Sequence, residues 1–139
     1  MTTFQGSCLC GEIAYAIEGE ALGFYHCHCQ RCRKANGTGH GSNIRIQPKK
    51  VKGERIDFIR GEEKISRYKV PEAVRFRNDF CSSCGSPLPR YFDETGYIVL
   101  PAGSLDHELE ITPEAHIFCG SKASWACRDQ LAEFDEYPE

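Results

Sequence analysis

Hydrophobic and polar positions alternate along much of this chain with a period of two. In EIAYAIEG, Ile13, Tyr15 and Ile17 fall on one face, and in AVRFRNDF so do Val74, Phe76 and Phe80. Such alternation predicts half-buried strands, because successive side chains of an extended backbone point to opposite sides. GYIVLPAG and AHIFCG, short apolar runs bounded by glycine or proline, are predicted as further strands. GTGHGSN, QPKKVKG and ETG read as the turns between them, since Gly, Asn and Pro supply the dihedrals of a chain reversal. Helical spacing is scarce. Only the tail, SWACRDQLAEFDEYPE, is expected to open a short helix, capped by Ser124 with an apolar face of Trp125, Leu131 and Cys127. No tandem repeat or linker interrupts the pattern. The prediction is a mainly β fold of several small coiled antiparallel sheets with little helix, forming a single domain over residues 1–139.

Composition narrows this picture. The chain is 40% hydrophobic, but no apolar run approaches the roughly 18 residues that span a bilayer, so no membrane segment is expected. MTTFQGSCLCGEIAYAIEGE lacks a basic start followed by an apolar stretch; no secretory leader is expected, and the expected compartment is the cytosol. Nine cysteines, an odd number, do not complete a disulfide framework. Under reducing conditions, clustered cysteines bind metal or carry redox chemistry more often than they form bridges. The formal charge of −3 becomes more negative once thiols ionise around metal, which argues against indiscriminate nucleic-acid binding. The locally basic RIQPKKVKGER, Arg45 to Arg55, reads as a solvated loop or as a site for the carboxylates of an acidic small molecule.

Seven cysteines fall into three groups: Cys8 and Cys10 as C-x-C, Cys27, Cys29 and Cys32 as C-x-C-x-x-C, and Cys81 with Cys84 as C-x-x-C. In CSSCGS the backbone can fold into a knuckle that aims both sulfurs at one point, with Gly85 relieving the turn. Zinc prefers four tetrahedral ligands, so two pairs can close one site, which favours Cys8, Cys10, Cys81 and Cys84 around one ion. Spacing alone also permits either pair to complete the three-cysteine group. In the favoured pairing, that group keeps an open position, the arrangement of catalytic rather than structural zinc.

Other residues near these groups invite assignment. In an extended YHCHCQRC, Cys27 and Cys29 point one way and His26 and His28 the other, which argues against either histidine joining the same ion. Partly exposed packing is the plain expectation for both, and service as ligand or proton relay the sharper one. His40, in a turn, could shuttle a proton to a substrate. Lys122 and Trp125 could cover that substrate, the amine meeting a carboxylate and the indole an apolar wall. Arg31, Arg33 and Lys34 could attract an anionic thiol. Cys119 and Cys127 have no metal spacing and read as buried small hydrophobes.

Three thiolates donate so much charge that their zinc acidifies water weakly, which counts against a hydrolase. A fourth sulfur suits such a site better: an incoming thiol, bound as thiolate, could attack a small carbonyl held nearby. Two other classes fit the same cysteines. One is a zinc-stabilised binding module for protein or nucleic acid, with every site closed; the other is a thiol redox or metal-handling protein.

GSCLCGEIAYAI, HCHCQRCRKANGTG, FCSSCGSPLPR, PAGSLD and HIFCGSKASW occur in order from Gly6 towards Phe134, and together they resemble the motifs of the glutathione-dependent formaldehyde-activating enzyme family. The resemblance implies an Mss4-like fold stapled by zinc. It also implies a structural zinc on Cys8, Cys10, Cys81 and Cys84 and a second, catalytic and more easily lost zinc on Cys27, Cys29 and Cys32. The implied activity is that of a carbon-sulfur lyase, adding glutathione to formaldehyde or a related small aldehyde, or reversing the addition. His28, His40, Lys122 and Trp125 are then the candidate substrate contacts. Ser124, where family members often carry proline, and LAEF, where they carry a Leu-Pro pair, bear on the tail's conformation.

Overall fold

The longest strand organises the molecule. The computed structural model describes residues 2–50, 52–127 and 129–138, and within them β2 (Ala14–Cys27) recruits four partners. Its first half pairs with β1 (Thr2–Ser7) and β4 (Asp57–Arg60), and its second half with β3 (Gly41–Pro48) and β9 (Ala115–Ile117). A register shift between Ala21 and Gly23 falls within its pairing with β3. Such a bulge bends and twists a strand, turning the stretch that ends at Cys27 relative to the stretch held by β1 and β4. β3 continues to β8 (Tyr97–Pro101) and β7 (Arg90–Phe92), completing a seven-stranded sheet. All of its pairings are antiparallel except β2 with β9. β5 (Ile65–Lys69) and β6 (Arg77–Cys81) form a separate two-stranded sheet. One α-helix is present, α1 (Gln30–Asn36). The fold is mainly β and consistent with the Mss4-like class.

Alternation sets the main core. Phe4, Tyr15, Ile17, Ile44, Ile46 and Leu100 are all buried on one side of the large sheet. Tyr15 brings a hydroxyl inside, and Ser104 Oγ meets it at 2.6 Å. Gly6 leaves that hydroxyl room, because a Cβ there would collide with Tyr15 and with the Ser104 carbonyl. A smaller cluster of Cys8, Ile13, Cys81 and Leu88 joins the turn after β1 to the end of β6.

Seven strands share one sheet because β2 is long enough to hold four neighbours. The structure departs from the sequence pattern in four places. In AVRFRNDF the strand begins only at Arg77; Val74 sits in the preceding turn, 84% exposed, and Asp79 faces inward. The buried carboxylate is tolerated because Arg77 Nε (2.9 Å) and Arg67 Nε (3.2 Å) both reach it. Gly41, Ser42 and Asn43 of GTGHGSN, like Gln47 and Pro48 of QPKKVKG, belong to β3; Val51 lies outside the described residues. Helix α1 was not expected from periodicity. The tail helix is absent among the described residues: 122–127 and 129–138 run as turns and bends, Trp125 and Leu131 are exposed, and Cys127 has φ 55.

Candidate metal centres

Two tight turns bring the first group together. After β1, Cys8 N–H donates to the Ile13 carbonyl (3.0 Å) and Gly11 N–H to the Cys8 carbonyl (3.0 Å), with Gly11 at φ 79. After β6, Gly85 N–H donates to the Cys81 carbonyl (2.8 Å) and Gly85 takes φ 78, a left-handed value that glycine adopts without strain. The four sulfurs of Cys8, Cys10, Cys81 and Cys84 all lie within 4.8 Å of one another. Cys8 and Cys10 are 3.6 Å apart, Cys10 and Cys81 3.8 Å. Tetrahedral zinc with sulfur at about 2.3 Å sets its ligands about 3.8 Å from each other. Donor type, number and spacing therefore fit a closed zinc site, in the pairing favoured from the sequence.

Backbone and hydroxyl donors already prepare these sulfurs for ionisation. Ser86 Oγ accepts from Leu9 N–H (2.9 Å), which leaves its own proton to donate to Cys84 Sγ at 3.2 Å. This bond, with the Ser86 and Cys10 backbone, holds the Cys84 thiol down to about 5. Cys10 moves the other way: the Glu12 backbone pulls it down, but burial and its neighbouring thiols push it up to about 12. A set that favours one thiolate and resists the next is short of positive charge, which a bound cation supplies.

The second group is local. Cys27 ends β2, and Cys29 caps α1, its sulfur accepting from Cys32 N–H at 3.3 Å. Gly37 closes the helix at φ 67, its N–H returning to the Arg33 carbonyl. Seven residues give too few turns for a helical pattern to show, so the caps define this helix. Cys32, the helix's buried residue, thereby reaches Cys27 and Cys29, and the three sulfurs lie within 4.8 Å of one another. The Cys32 thiol donates to Cys27, holding Cys27 down to about 6, while that bond and burial push Cys32 up. Three sulfurs fit three corners of a tetrahedral zinc site.

All three cysteines line a cavity of about 680 Å³. Arg31, Arg45, Arg75 and Arg90 contribute its positive charge, and aromatic rings much of its wall. Arg45 stacks 5.3 Å from the Tyr97 ring, and Arg90 lies 5.6 Å from Phe76 and 5.7 Å from Phe92. Arg90 is buried, its Nε has no hydrogen-bond partner, and burial pushes its pKa down, against the pull of Cys32 and Asp79. Stacked guanidiniums of this kind present planar donors to carboxylates. Arg90 was missed in the sequence; its signal is a lone charge within the otherwise apolar PLPRYF.

The four candidate substrate contacts sit elsewhere. None of His28, His40, Lys122 and Trp125 lines this cavity. Alternation along β2 turns His26 and His28 to its other face, where His26 and His40 have ring centroids 4.1 Å apart. His28 is fully buried, contrary to the partly exposed packing expected, and that burial, followed by His40, His116 and Lys122, pushes its pKa down. The Trp125 ring lies over Gly39 and is 62% exposed. Cys119 is exposed and Cys127 partly so, correcting their reading as core residues.

The sequence model of a family described as glutathione-dependent formaldehyde-activating enzyme matches residues 3–121. No curated protein sequence matches the chain. A crystal structure of a Rhodobacter sphaeroides protein superposes with a TM-score of 0.53 at 20% identity, covering 81% of this chain and 97% of that one, a likeness of fold.

Proposed function

Because the chain belongs to the glutathione-dependent formaldehyde-activating enzyme family, we propose that it is a carbon-sulfur lyase joining an anionic thiol, glutathione, to formaldehyde or a similarly small aldehyde, and reversing that reaction. What carries the reading is that Cys27, Cys29 and Cys32 open together onto an arginine-lined cavity large enough for a tripeptide. Cys8, Cys10, Cys81 and Cys84 would hold a structural zinc, and Cys27, Cys29 and Cys32 a catalytic one. Zinc bound at the three-cysteine group supplies a Lewis-acid position that keeps an incoming thiol ionised at neutral pH.

The remaining work falls to the chain's own side chains. Arg45 and Arg90, fixed against aromatic rings, orient the carboxylates of the thiol so that its sulfur lies towards the cysteines. Phe76, Phe92 and Tyr97 exclude water from the aldehyde. The sulfur forms a bond to the carbonyl carbon, the carbon-oxygen π pair moves to oxygen, and that oxygen takes up one proton, balancing the one lost by the thiol. The product is a hemithioacetal.

The test is exchange spectroscopy by NMR on the zinc-loaded protein with formaldehyde and glutathione. Adduct formation and breakdown should run faster than in buffer, and Cys32→Ala should abolish the gain while circular dichroism stays that of a β protein. Exchange no faster than buffer with the zinc complement full would overturn the proposal.

A further inference from the structure

Four of the chain's five histidines gather on the face of β2 turned away from the cavity. The parallel pairing of β9 with β2 sets His116 level with His26, and His28 follows one step beyond the strand. His28 Nε2 lies 2.8 Å from His116 Nδ1. Cys127 Sγ approaches both, at 3.9 Å from His28 Nε2 and 3.8 Å from His116 Nδ1. The three atoms are within 4.8 Å of one another. His28 is completely buried, with the Gly39 backbone as a further hydrogen-bonding neighbour of its ring.

These distances are close to those of a metal site. Zinc bound by nitrogen at about 2.0 Å and sulfur at about 2.3 Å places its ligands about 3.3 Å apart for N and N and about 3.5 Å for N and S. The sulfur, at 3.8 and 3.9 Å, need close in by only about 0.3–0.4 Å. The histidine pair, now at hydrogen-bond length, would open by about 0.5 Å.

A second observation comes from the backbone. Among the described residues, Phe118 (φ 56) and Cys127 (φ 55) are the non-glycine residues with positive φ. One follows His116 by two positions; the other is the third member of the cluster. Left-handed backbone at non-glycine residues is uncommon and persists where surrounding interactions fix it. Neither helix nor strand holds residues 122–127, so a ligand bond at Cys127 would supply what secondary structure does not.

We propose that His28, His116 and Cys127 form a third metal site, a two-nitrogen, one-sulfur set for a zinc-class divalent ion, which fastens the C-terminal segment to the end of β2. Binding takes both imidazoles neutral and Cys127 as thiolate. The thiol proton leaves to solvent, and the proton shared between His28 Nε2 and His116 Nδ1 moves to the other nitrogen of its ring. The site is separate from the cavity and takes no part in the aldehyde reaction.

The test is a zinc count on the full chain, stripped of metal, reloaded under reducing conditions and freed of excess ion. Wild type should hold one equivalent more than either His116→Ala or Cys127→Ala; His116 is exposed, so its replacement spares the core. In the wild type, zinc should shift the 15N resonances of His28 Nε2 and His116 Nδ1, and should slow proteolysis after residue 118. Equal counts in wild type and both variants, or ring nitrogens that zinc leaves unmoved, would overturn the proposal. Neither readout uses aldehyde chemistry, so failure of the enzyme reading and failure of this one are told apart.

Discussion

Replacing Cys84 with serine removes one of four sulfurs from the group that joins β6 to the turn after β1, and the cost can be worked out locally. A two-stranded sheet is marginal in water by itself. Ordering the ten residues of β5 and β6 costs about 1–2 kcal/mol each, or about 10–20 kcal/mol. The fully buried Ile13 and Leu88 return about 1.5–3 kcal/mol each. A shortfall of roughly 4–17 kcal/mol remains, a range that takes in the ~10–16 kcal/mol by which a structural zinc site stabilises a small domain. Cys84→Ser should therefore lose one zinc equivalent and unfold this unit selectively. Hydrogen exchange read by mass spectrometry should show amides of β5, β6 and the 81–85 knuckle losing protection, while those around Ile44 and Ile98 in the large sheet keep theirs. A variant that loses its zinc yet keeps β6 protected would refute the reasoning, as would one that keeps its full complement.

Arg45→Gln, at an exposed position, and Arg90→Gln, at a buried one, should each raise the KM for glutathione by roughly ten- to hundredfold with kcat little changed, since one charge-assisted hydrogen bond is worth roughly 1.5–3 kcal/mol; unchanged KM in both would dissociate the cavity from thiol binding. In the metal-free protein, Cys27 ionises at about 6 against an ordinary 9.0. Its depressed value stabilises the fold fully above pH 9.0 and loses that contribution as pH falls through about 6. Ultraviolet thiolate absorbance should accordingly fall near pH 6, and Cys32→Ala, which removes the donor, should move that step upward; a step that does not move would count against the Cys32 hydrogen bond. Gly6→Ala drives a methyl into Tyr15 and the Ser104 carbonyl and should cost about 1–3 kcal/mol of overpacking, visible as a fall in Tm of roughly 3–10 °C. An unchanged Tm would mean that the 102–104 turn yields freely.

What the sequence carried depended on how local each signal is. Ile13, Tyr15 and Ile17 announce their burial by alternation alone, and the C-x-x-C-G knuckle at 81–85 announces its geometry by spacing. Val74 misled because alternation takes no account of the turn that opens at Pro71, and Asp79 because its burial is offset by Arg67 and Arg77, which pattern does not pair with it. Helix α1 depends on Cys29 and Gly37 as caps, in a segment whose cysteines drew attention for another reason. His116 and Cys127 left no trace at all. They stand 88 and 99 positions from His28, and only the parallel addition of β9 and the irregular path of the tail bring them to it.

The two cysteine groups differ most in how far apart along the chain their members lie. Cys27 to Cys32 occupy six consecutive positions, whereas Cys10 and Cys81 are separated by 71. On a ribosome that distance becomes time. The three-cysteine group is complete once little more than thirty residues have emerged, while the four-cysteine group must wait until synthesis has passed Cys84, some seconds later at about 5–20 residues per second. If each group captures an ion as it is made, the order follows chain position: the three-cysteine group can fill first, on an unfinished protein, the four-cysteine group that joins β6 to the turn after β1 only once Cys84 has emerged, and the His28, His116 and Cys127 set last of all.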